Sequence, residues 1–208
     1  MSPPANSGKR DRTPVGTLRP EDLPRASGGP GYAELCVTTN FTFLTGASHP
    51  EELVLRAAEL GLDAIAVTDR NSLAGVVRAY SALKTLRREA EETLRIRSTH
   101  QTDACSRQEV GTPQDLPLPQ VPRFPKLIVG TRIVLRDCPV EWLALPLDRD
   151  AYHRLARLLT LGKRRAGKAE CHLDLRDLSE GARGMILIAL PPDDLSTARA
   201  PLQLLQRR

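Results

Sequence analysis

The chain has 208 residues, of which 40% are hydrophobic and only 3% aromatic. This length suffices for one domain with a sizeable core, which must be built from Leu, Val, Ile and Ala. The net charge of +5 fits a nucleic-acid partner and equally fits a solvated, arginine-rich surface. The four cysteines lack zinc-like or CxxC spacing, and no signal peptide or run of about 20 apolar residues occurs, so we expect a cytoplasmic protein with reduced thiols.

The first 31 residues are rich in Pro, Gly, Ser and charge, which predicts a disordered leader. Residues 32–37 then predict a strand. Ser48, three residues before Glu51, predicts a capping box with Pro50 in the first helical turn. Gly61 predicts the end of that helix.

Residues 62–67 predict a buried strand, followed by a second helix capped by Asn71 or Ser72. The apolar residues of that helix, at helical spacing, are Leu73, Val76, Val77, Tyr80 and Leu83. A β-α-β-α order with short links favours parallel strands and right-handed crossovers. Residues 86–126, a charged helical extension and then a Pro-rich segment, predict a flexible surface insertion.

The regular pattern resumes after the insertion. We expect strands at 127–129, 133–135, 142–145 and 184–190, and a last helix from Asp193 or Asp194 to Arg208. A helix at 150–161 should direct Tyr152 and Leu155 inward and stop at Gly162. In parallel α/β folds the site lies at the C-terminal strand ends, which are 38–40, 68–70 and 130–132 here.

The sequence around these strand ends resembles a known protein family. The stretch VTTNFTFLTGASHPEELVLRAAELGLDAIAVTDRNSLAGVVRAY resembles the opening of the PHP (polymerase and histidinol phosphatase) domain of bacterial C-family DNA polymerases, chiefly the error-prone branch related to the DNA polymerase III alpha subunit. The stretches LIVGTRIVL, LLTLGKRRAGKAECHLDL and GMILIALPPDDL also resemble that branch. The resemblance implies an α/β fold in which residues 32–208 form an incomplete PHP-type (β/α)₇ barrel.

Metal-binding PHP members carry His-x-His or His-x-Asp after the first strand, Thr-Asp-His after the second and Gly-x-Glu after the third. The matching positions here hold Thr38 and Asn40, then Asp69 and Arg70, then Arg132. Because a guanidinium stays protonated and has no lone pair to donate, we expect a degenerate site without metal. An ion pair of Arg70 or Arg132 with Asp69 is the expected replacement.

The remaining candidates are weaker. The run Lys163, Arg164, Arg165 and Lys168 predicts a DNA or interdomain contact, or a solvated loop that complements the end of a helix. His49 is expected to be a surface or capping residue. The trio 170–172 is not a common ligand spacing, and no Walker or dinucleotide fingerprint occurs.

The resemblance implies a DNA-directed DNA polymerase, a nucleotidyltransferase of DNA replication, repair and damage-induced translesion synthesis. Palm carboxylates with Mg²⁺ would do that chemistry, and nothing in this stretch matches them, so the chain alone is expected to be an inactive scaffold without a cofactor. The implied partners are the remaining polymerase domains, template-primer DNA reached indirectly, the sliding clamp and mutagenesis accessory proteins, with no membrane. The alternatives are a standalone PHP phosphoesterase and a non-functional truncated remnant.

Overall fold

The computed structural model describes residues 31–105, 124–190, 192, 194 and 198–206. The predicted leader, apart from Gly31, and residues 106–123 of the predicted insertion lie outside the described residues. The elements in chain order are β1 (Ala33–Val37), α1 (Pro50–Glu59), β2 (Ala64–Val67), α2 (Ala74–Cys105), β3 (Lys126–Val129), β4 (Thr131–Ile133), β5 (Glu141–Pro146), α3 (Arg149–Arg164), α4 (Leu175–Gly181), β6 (Met185–Leu190) and α5 (Arg199–Gln206).

The first half of the chain forms a parallel sheet in the order β1-β2-β3. Helices α1 and α2 supply the crossovers, as the β-α-β-α pattern predicts. All four residues of β2 are buried, because this central strand has a strand on each side and helices packed over it. The fold class is therefore the predicted α/β class, with an open, partial barrel.

The start of α1 differs from the predicted capping box by one residue. His49 is the N-cap residue, and its amide donates to Glu52 Oε2 at 2.9 Å. Glu51 is thereby free to pair with Arg78 Nε of α2, at 2.7 Å. The predicted box of Ser48 and Glu51 is wrong in register, whereas the positive φ of 67° at Gly61 agrees with the predicted stop.

Helix α2 buries a narrower face than its apolar residues predict. Val76, Ala79 and Leu83 are buried, at i, i+3 and i+7. Val77 and Tyr80, two of the apolar residues at helical spacing, are 69% and 59% exposed and lie outside the buried stripe. Small Ala79 occupies the buried stripe and brings α2 close to α1.

The second half of the chain forms an antiparallel sheet in the order β4-β5-β6. Strand β6 is not the doubly buried parallel strand that a (β/α)₇ barrel would require of the apolar run 184–190. It pairs antiparallel with β5 from Met185 to Leu190, and Ile186 is 47% exposed. An antiparallel strand needs only one buried face, so a continuous apolar run does not by itself identify a parallel strand.

A large apolar cluster lies between this second sheet and α3, α4 and α5. Helix α3 begins after Asp148, whose side chain accepts from the Ala151 amide at 2.7 Å. Gly162 does not stop α3 but lies buried inside it, while Tyr152 is 38% exposed rather than inward. The short helix α4 has no counterpart in the sequence-based prediction.

The described ends of the insertion contact the body of the chain. Ala90 of α2 is 4% exposed, and Leu86 and Phe124 pack on the cluster that contains Val54 and Val67. Helix α2 continues to Cys105, and Lys126 is the first residue of β3. Among the helices that the structure describes, none is long and apolar enough to span a bilayer.

Candidate functional site

The C-terminal ends of β1, β2 and β3 meet at one edge of the parallel sheet. The Thr68 amide donates to the Val37 carbonyl at 2.8 Å and joins the ends of β1 and β2. The Arg132 amide donates to the Asp69 carbonyl at 3.1 Å and joins the segments after β2 and β3. The three predicted strand ends are therefore brought together.

Asp69 is the centre of this edge and is fully buried. Its Oδ1 accepts from the Thr39 amide at 2.8 Å and from Thr42 Oγ1 at 2.8 Å. Thr39 Oγ1 lies 2.9 Å from Oδ2 and 3.0 Å from Oδ1. A Cβ added at Gly75 would lie only 2.5 Å from Oδ2, so the start of α2 closes over the carboxylate. Both oxygens are thus enclosed by uncharged donors and backbone.

Thr131 holds the backbone of the second strand end. Its Oγ1 donates to the Asp69 carbonyl at 2.7 Å and accepts from the Ser72 amide at 3.1 Å. Asn71, in the same turn, exchanges two hydrogen bonds with the backbone of Val134, at 3.0 and 3.1 Å. These bonds fix the turn that carries Arg70.

Neither arginine of the degenerate motifs pairs with Asp69, so the expected ion pair is wrong. Arg132 Nε lies 3.5 Å from Glu141 Oε2 of β5, too poorly aligned to count as a hydrogen bond. Arg70 is exposed and makes no ion pair within the described part of the chain; its amide donates to Thr42 Oγ1 at 3.0 Å. Neutral threonine donors do not carry the desolvation penalty of a buried guanidinium, which explains why they serve here.

The first motif forms no cluster with Asp69 through its side chains. Asn40 Nδ2 lies 2.9 Å from His49 Nδ1, and the Asn40 amide donates to the Ser48 carbonyl at 2.9 Å. Asn40 therefore ties the end of β1 to the start of α1, and His49 is the exposed cap that the sequence predicts. Thr38 is half-buried.

The residues at these positions do not fit the metal cluster that metal-binding PHP members carry. Thr38 and Asn40 offer neutral oxygen, Arg70 and Arg132 offer cations, and the Asp69 oxygens already accept hydrogen bonds. Within the described residues, no three His, Cys, Asp or Glu side chains form a group that could hold a metal ion. These residues therefore support no metal-dependent step.

The basic run has two kinds of members. Arg165 donates to Asp177 Oδ2 of α4 at 2.6 Å. Burial of Asp177 opposes its charge, but hydrogen bonds from the Asp174 amide and Arg165 outweigh burial and lower its pKa below 3.8. Lys163, Arg164 and Lys168 are exposed and make no ion pair in the part of the chain that the structure describes.

The structure also brings Lys163 to the site. An open cleft of about 820 Å³ is lined by the loops after β1 and β2, by the end of α3 and by the segment that follows α3; its lining includes Arg70, Lys163 and His172. Cys171 lies in the same wall; its burial raises the pKa of its thiol, and nearby Lys163 opposes that rise. We call this space the Arg70 cleft.

Sequence reasoning missed Thr39, Thr42 and Thr131. Each lies within three residues of a predicted motif position, but the resemblance directs attention to the ligand positions themselves. The signal available was the retained Asp69: a carboxylate at a buried strand end requires donors, and threonines recur in the flanking loops.

Comparisons with known proteins agree with this architecture. The model of the PHP domain family matches residues 34–202, and the chain belongs to that family. It is 71% identical over 177 residues to an error-prone DNA polymerase of Ruegeria pomeroyi, which covers 85% of this chain and 16% of the relative. It is 43% identical over 163 residues to an error-prone DNA polymerase of Rhodopseudomonas palustris, covering 78% of this chain and 12% of the relative. The predicted resemblance is confirmed.

A solved structure gives a more distant match. It comes from Bifidobacterium adolescentis and is provisionally assigned as a metal-dependent phosphoesterase. The TM-score is 0.38 at 20% identity, covering 65% of this chain and 34% of that one. A similarity at this level carries no functional argument.

Proposed function

We propose that the chain is the N-terminal PHP portion of an error-prone DNA-directed DNA polymerase that copies damaged templates, and that it serves there as a structural scaffold. The polymerase assignment is supported by the 71% identity over 85% of the chain. The scaffold role is carried by one observation, the Asp69 carboxylate enclosed by Thr39, Thr42 and Gly75.

The scaffold role follows from the hydrogen bonding of Asp69, whose carboxylate oxygens are already occupied as acceptors. A carboxylate that accepts three or more hydrogen bonds, with backbone against its remaining side, has no free oxygen to offer a metal or a substrate. The same bonds join the loops after β1 and β2, and Gly75 at the start of α2 packs directly against the carboxylate. Its chemistry here is therefore the chemistry of a buried structural acceptor.

Primer extension tests the polymerase assignment. We expect the 208-residue chain not to extend a primed template and a polypeptide lengthened C-terminally along its relatives to do so with Mg²⁺. Reading the DNA that adjoins the coding region is the preliminary step, and an open frame of several hundred codons is expected. Extension by the 208-residue chain alone would contradict the assignment.

Two measurements separate the scaffold from a standalone phosphoesterase. Elemental analysis of purified protein should find no stoichiometric Zn, Mn or Fe, and phosphomonoesters should not be hydrolysed. Two or three metals per chain, or hydrolysis lost in Asp69→Ala without loss of fold, would favour the phosphoesterase. A truncated remnant would instead lack the adjoining open frame.

The exposed cations Lys163, Arg164 and Lys168 belong to this proposal as a surface that contacts DNA or a neighbouring polymerase domain. The sliding clamp, accessory mutagenesis proteins and template-primer DNA are the partners proposed for the longer protein. The sliding clamp and the accessory proteins would be reached through its other domains.

A further inference from the structure

The Arg70 cleft is lined by two of the few aromatic side chains in this chain, and both are exposed. The sequence contains only three Phe residues, and two of them, Phe41 and Phe43, line this cleft. Phe43 is 85% exposed and Phe41 is 40% exposed. In a chain with 3% aromatic residues, the larger apolar side chains are expected in the core. Two adjacent exposed rings therefore indicate a binding surface.

The two rings are not equivalent. The Arg78 guanidinium lies 6.0 Å from the centroid of Phe41, which gives that ring a cation partner within the chain. For Phe43 the described residues show no ring or cation contact. Phe43 is therefore the ring whose face remains available to a ligand.

Charge in the cleft favours an anion. Arg70 and Lys163 both line the cleft, and neither makes an ion pair within the part of the chain that the structure describes. Glu170 is the single carboxylate of the lining, and it lies 3.2 Å from His172 Nε2, which faces the cleft as well. Exposed Arg164 and Lys168 continue the positive potential beyond the wall that carries Lys163.

Backbone strain is concentrated around the same cleft. In the described part of the chain, the non-glycine residues with positive φ are Leu44, Asn71 and Ala169, at 64°, 47° and 70°. Asn71 and Ala169 line the cleft, and Leu44 follows Phe43. Each of the three bordering segments thus holds one strained residue. Such strain is costly and collects where loops are shaped for a ligand.

We propose that the Arg70 cleft binds single-stranded DNA, with a base stacked on Phe43 and adjoining phosphates on Arg70 and Lys163. Cations that follow the backbone beside an aromatic face are the combination that single-stranded nucleic acids require. Duplex DNA fits less well, because its bases are already stacked and cannot reach the ring. The inference concerns binding by this chain itself, so it stands apart from the proposed polymerase activity.

Fluorescence anisotropy with a labelled oligothymidylate of about 12 nucleotides tests the proposal. We expect binding by the 208-residue chain that weakens as salt rises from about 50 to about 200 mM. Arg70→Gln and Lys163→Gln should each weaken it and lower the salt slope by about 0.7. Phe43→Ala should weaken it about fivefold or more.

Matched variants separate the cleft from general basic charge. Lys84→Gln removes an exposed cation from α2, and Tyr80→Ala removes an exposed aromatic ring from α2; both should bind like wild type. Glu170→Gln removes the carboxylate of the cleft and should strengthen binding, a gain that misfolding cannot mimic. A duplex of equal length should bind more weakly than the single strand.

Three outcomes would overturn the proposal. The first is no binding at low salt by a chain with a cooperative thermal melt. The second is equal weakening by Lys84→Gln and Arg70→Gln. The third is unchanged oligothymidylate binding by Phe43→Ala together with weaker association with a separately expressed remainder of the polymerase. That last result would assign the exposed rings to a protein contact.

Discussion

The Asp69 carboxylate is surrounded by the Thr39 amide and by hydroxyl groups of Thr39 and Thr42, all within 3.0 Å. These hydrogen-bond donors stabilise the buried charge, because several N–H and O–H groups can replace the solvation that burial removes. Asp69 is therefore a buried hydrogen-bond acceptor in this structure.

Asp69→Ala should lower the free energy of unfolding. The substitution leaves the Thr39 amide and the Thr42 hydroxyl without their acceptor, at about 1–3 kcal/mol for each buried group left unmet. Chemical denaturation measures the loss. Asp150→Ala is the matched control, because Asp150 is exposed in the first turn of α3, where its interaction with the helix dipole is worth under about 1 kcal/mol. Equal losses at both positions would contradict a structural role for Asp69.

At the site, the sequence could predict which strand ends meet and which metal ligands are missing, because both follow from position along the chain. It could not predict the partner of Asp69. The choice between Arg70, Arg132 and the threonines depends on side-chain direction after the strands end. There Thr39 lies between two motif positions and turns inward, while Arg70 turns to the cleft.

At the scale of elements, Gly162 shows how a residue can be identified correctly and interpreted wrongly. Glycine often ends helices, so it predicts a stop after 161. In the structure α3 continues to Arg164, and Gly162 is needed because Cys171 and Leu173 cross directly over it. A Cβ there would lie 2.6 Å from Cys171 Sγ and 2.7 Å from Leu173 Cγ. A local sequence pattern does not show contacts between a helix and a segment that lies outside it.

Gly162→Ala should therefore destabilise the chain by about 1–3 kcal/mol, although alanine is the better helix former. The matched control is Gly167→Ala, where the nearest atom to an added Cβ is Glu170 Oε2 at 3.8 Å. That control should be neutral or slightly stabilising. Melting curves of the two variants decide, and a more stable Gly162→Ala would show that α3 has room at this point.

The contact between α3 and α4 should depend on pH. Hydrogen bonds to Asp177 lower its pKa below 3.8, so its contribution to stability is present above that value and is lost as the pH falls through the folded-state pKa. Wild type should exceed Asp177→Asn in unfolding free energy near neutral pH, by about 1 kcal/mol or less because Arg165 is partly exposed. The difference should vanish in acid. A constant difference down to about pH 2 would contradict this linkage.

Element types were predictable wherever a strand is short and apolar or a helix has clear ends. The choice of which face of α2 is buried was not predictable, because the exposed Val77 and Tyr80 are also apolar. The antiparallel second sheet was also hidden: the pairing direction of β6 is set by its partner β5, and strand composition alone does not encode it.

At the scale of the molecule, residues 106–123 should be dispensable for stability. Their Pro-rich, apolar-poor sequence predicts a surface segment, and the cost of loop closure changes by only about 0.6 kcal/mol when length doubles. Replacing residues 106–123 with a Gly-Ser segment of similar length should leave the unfolding free energy almost unchanged. Limited proteolysis of the wild type should cut first within residues 106–123 and within residues 1–30. Phe124→Ala is the contrast, expected to cost about 1–2 kcal/mol because Phe124 packs on the core. A large loss in the replacement would show that the segment packs.

The two sheets leave apolar surface uncovered. Strand β6 pairs only with β5 among the described strands, and Ile186 on it is 47% exposed. Leu44 and Leu147 are 92% and 67% exposed. An unpaired strand edge and exposed apolar side chains each favour association with another chain. The two-sheet arrangement therefore resembles part of a larger assembly more than a closed barrel.

We accordingly expect the 208-residue chain to be marginally stable and to dimerise or aggregate at concentrations where a closed domain stays monomeric. A polypeptide lengthened C-terminally along its error-prone polymerase relatives should be monodisperse and melt at higher temperature, because added strands and domains would pair the β6 edge and bury exposed apolar side chains. Static light scattering and thermal melting of the two lengths measure this directly. Lys substituted for Ile186 in the 208-residue chain should reduce association without extension, since an edge charge opposes strand addition. A monodisperse 208-residue monomer that melts cooperatively and gains nothing from extension would show that the described fold is already self-sufficient.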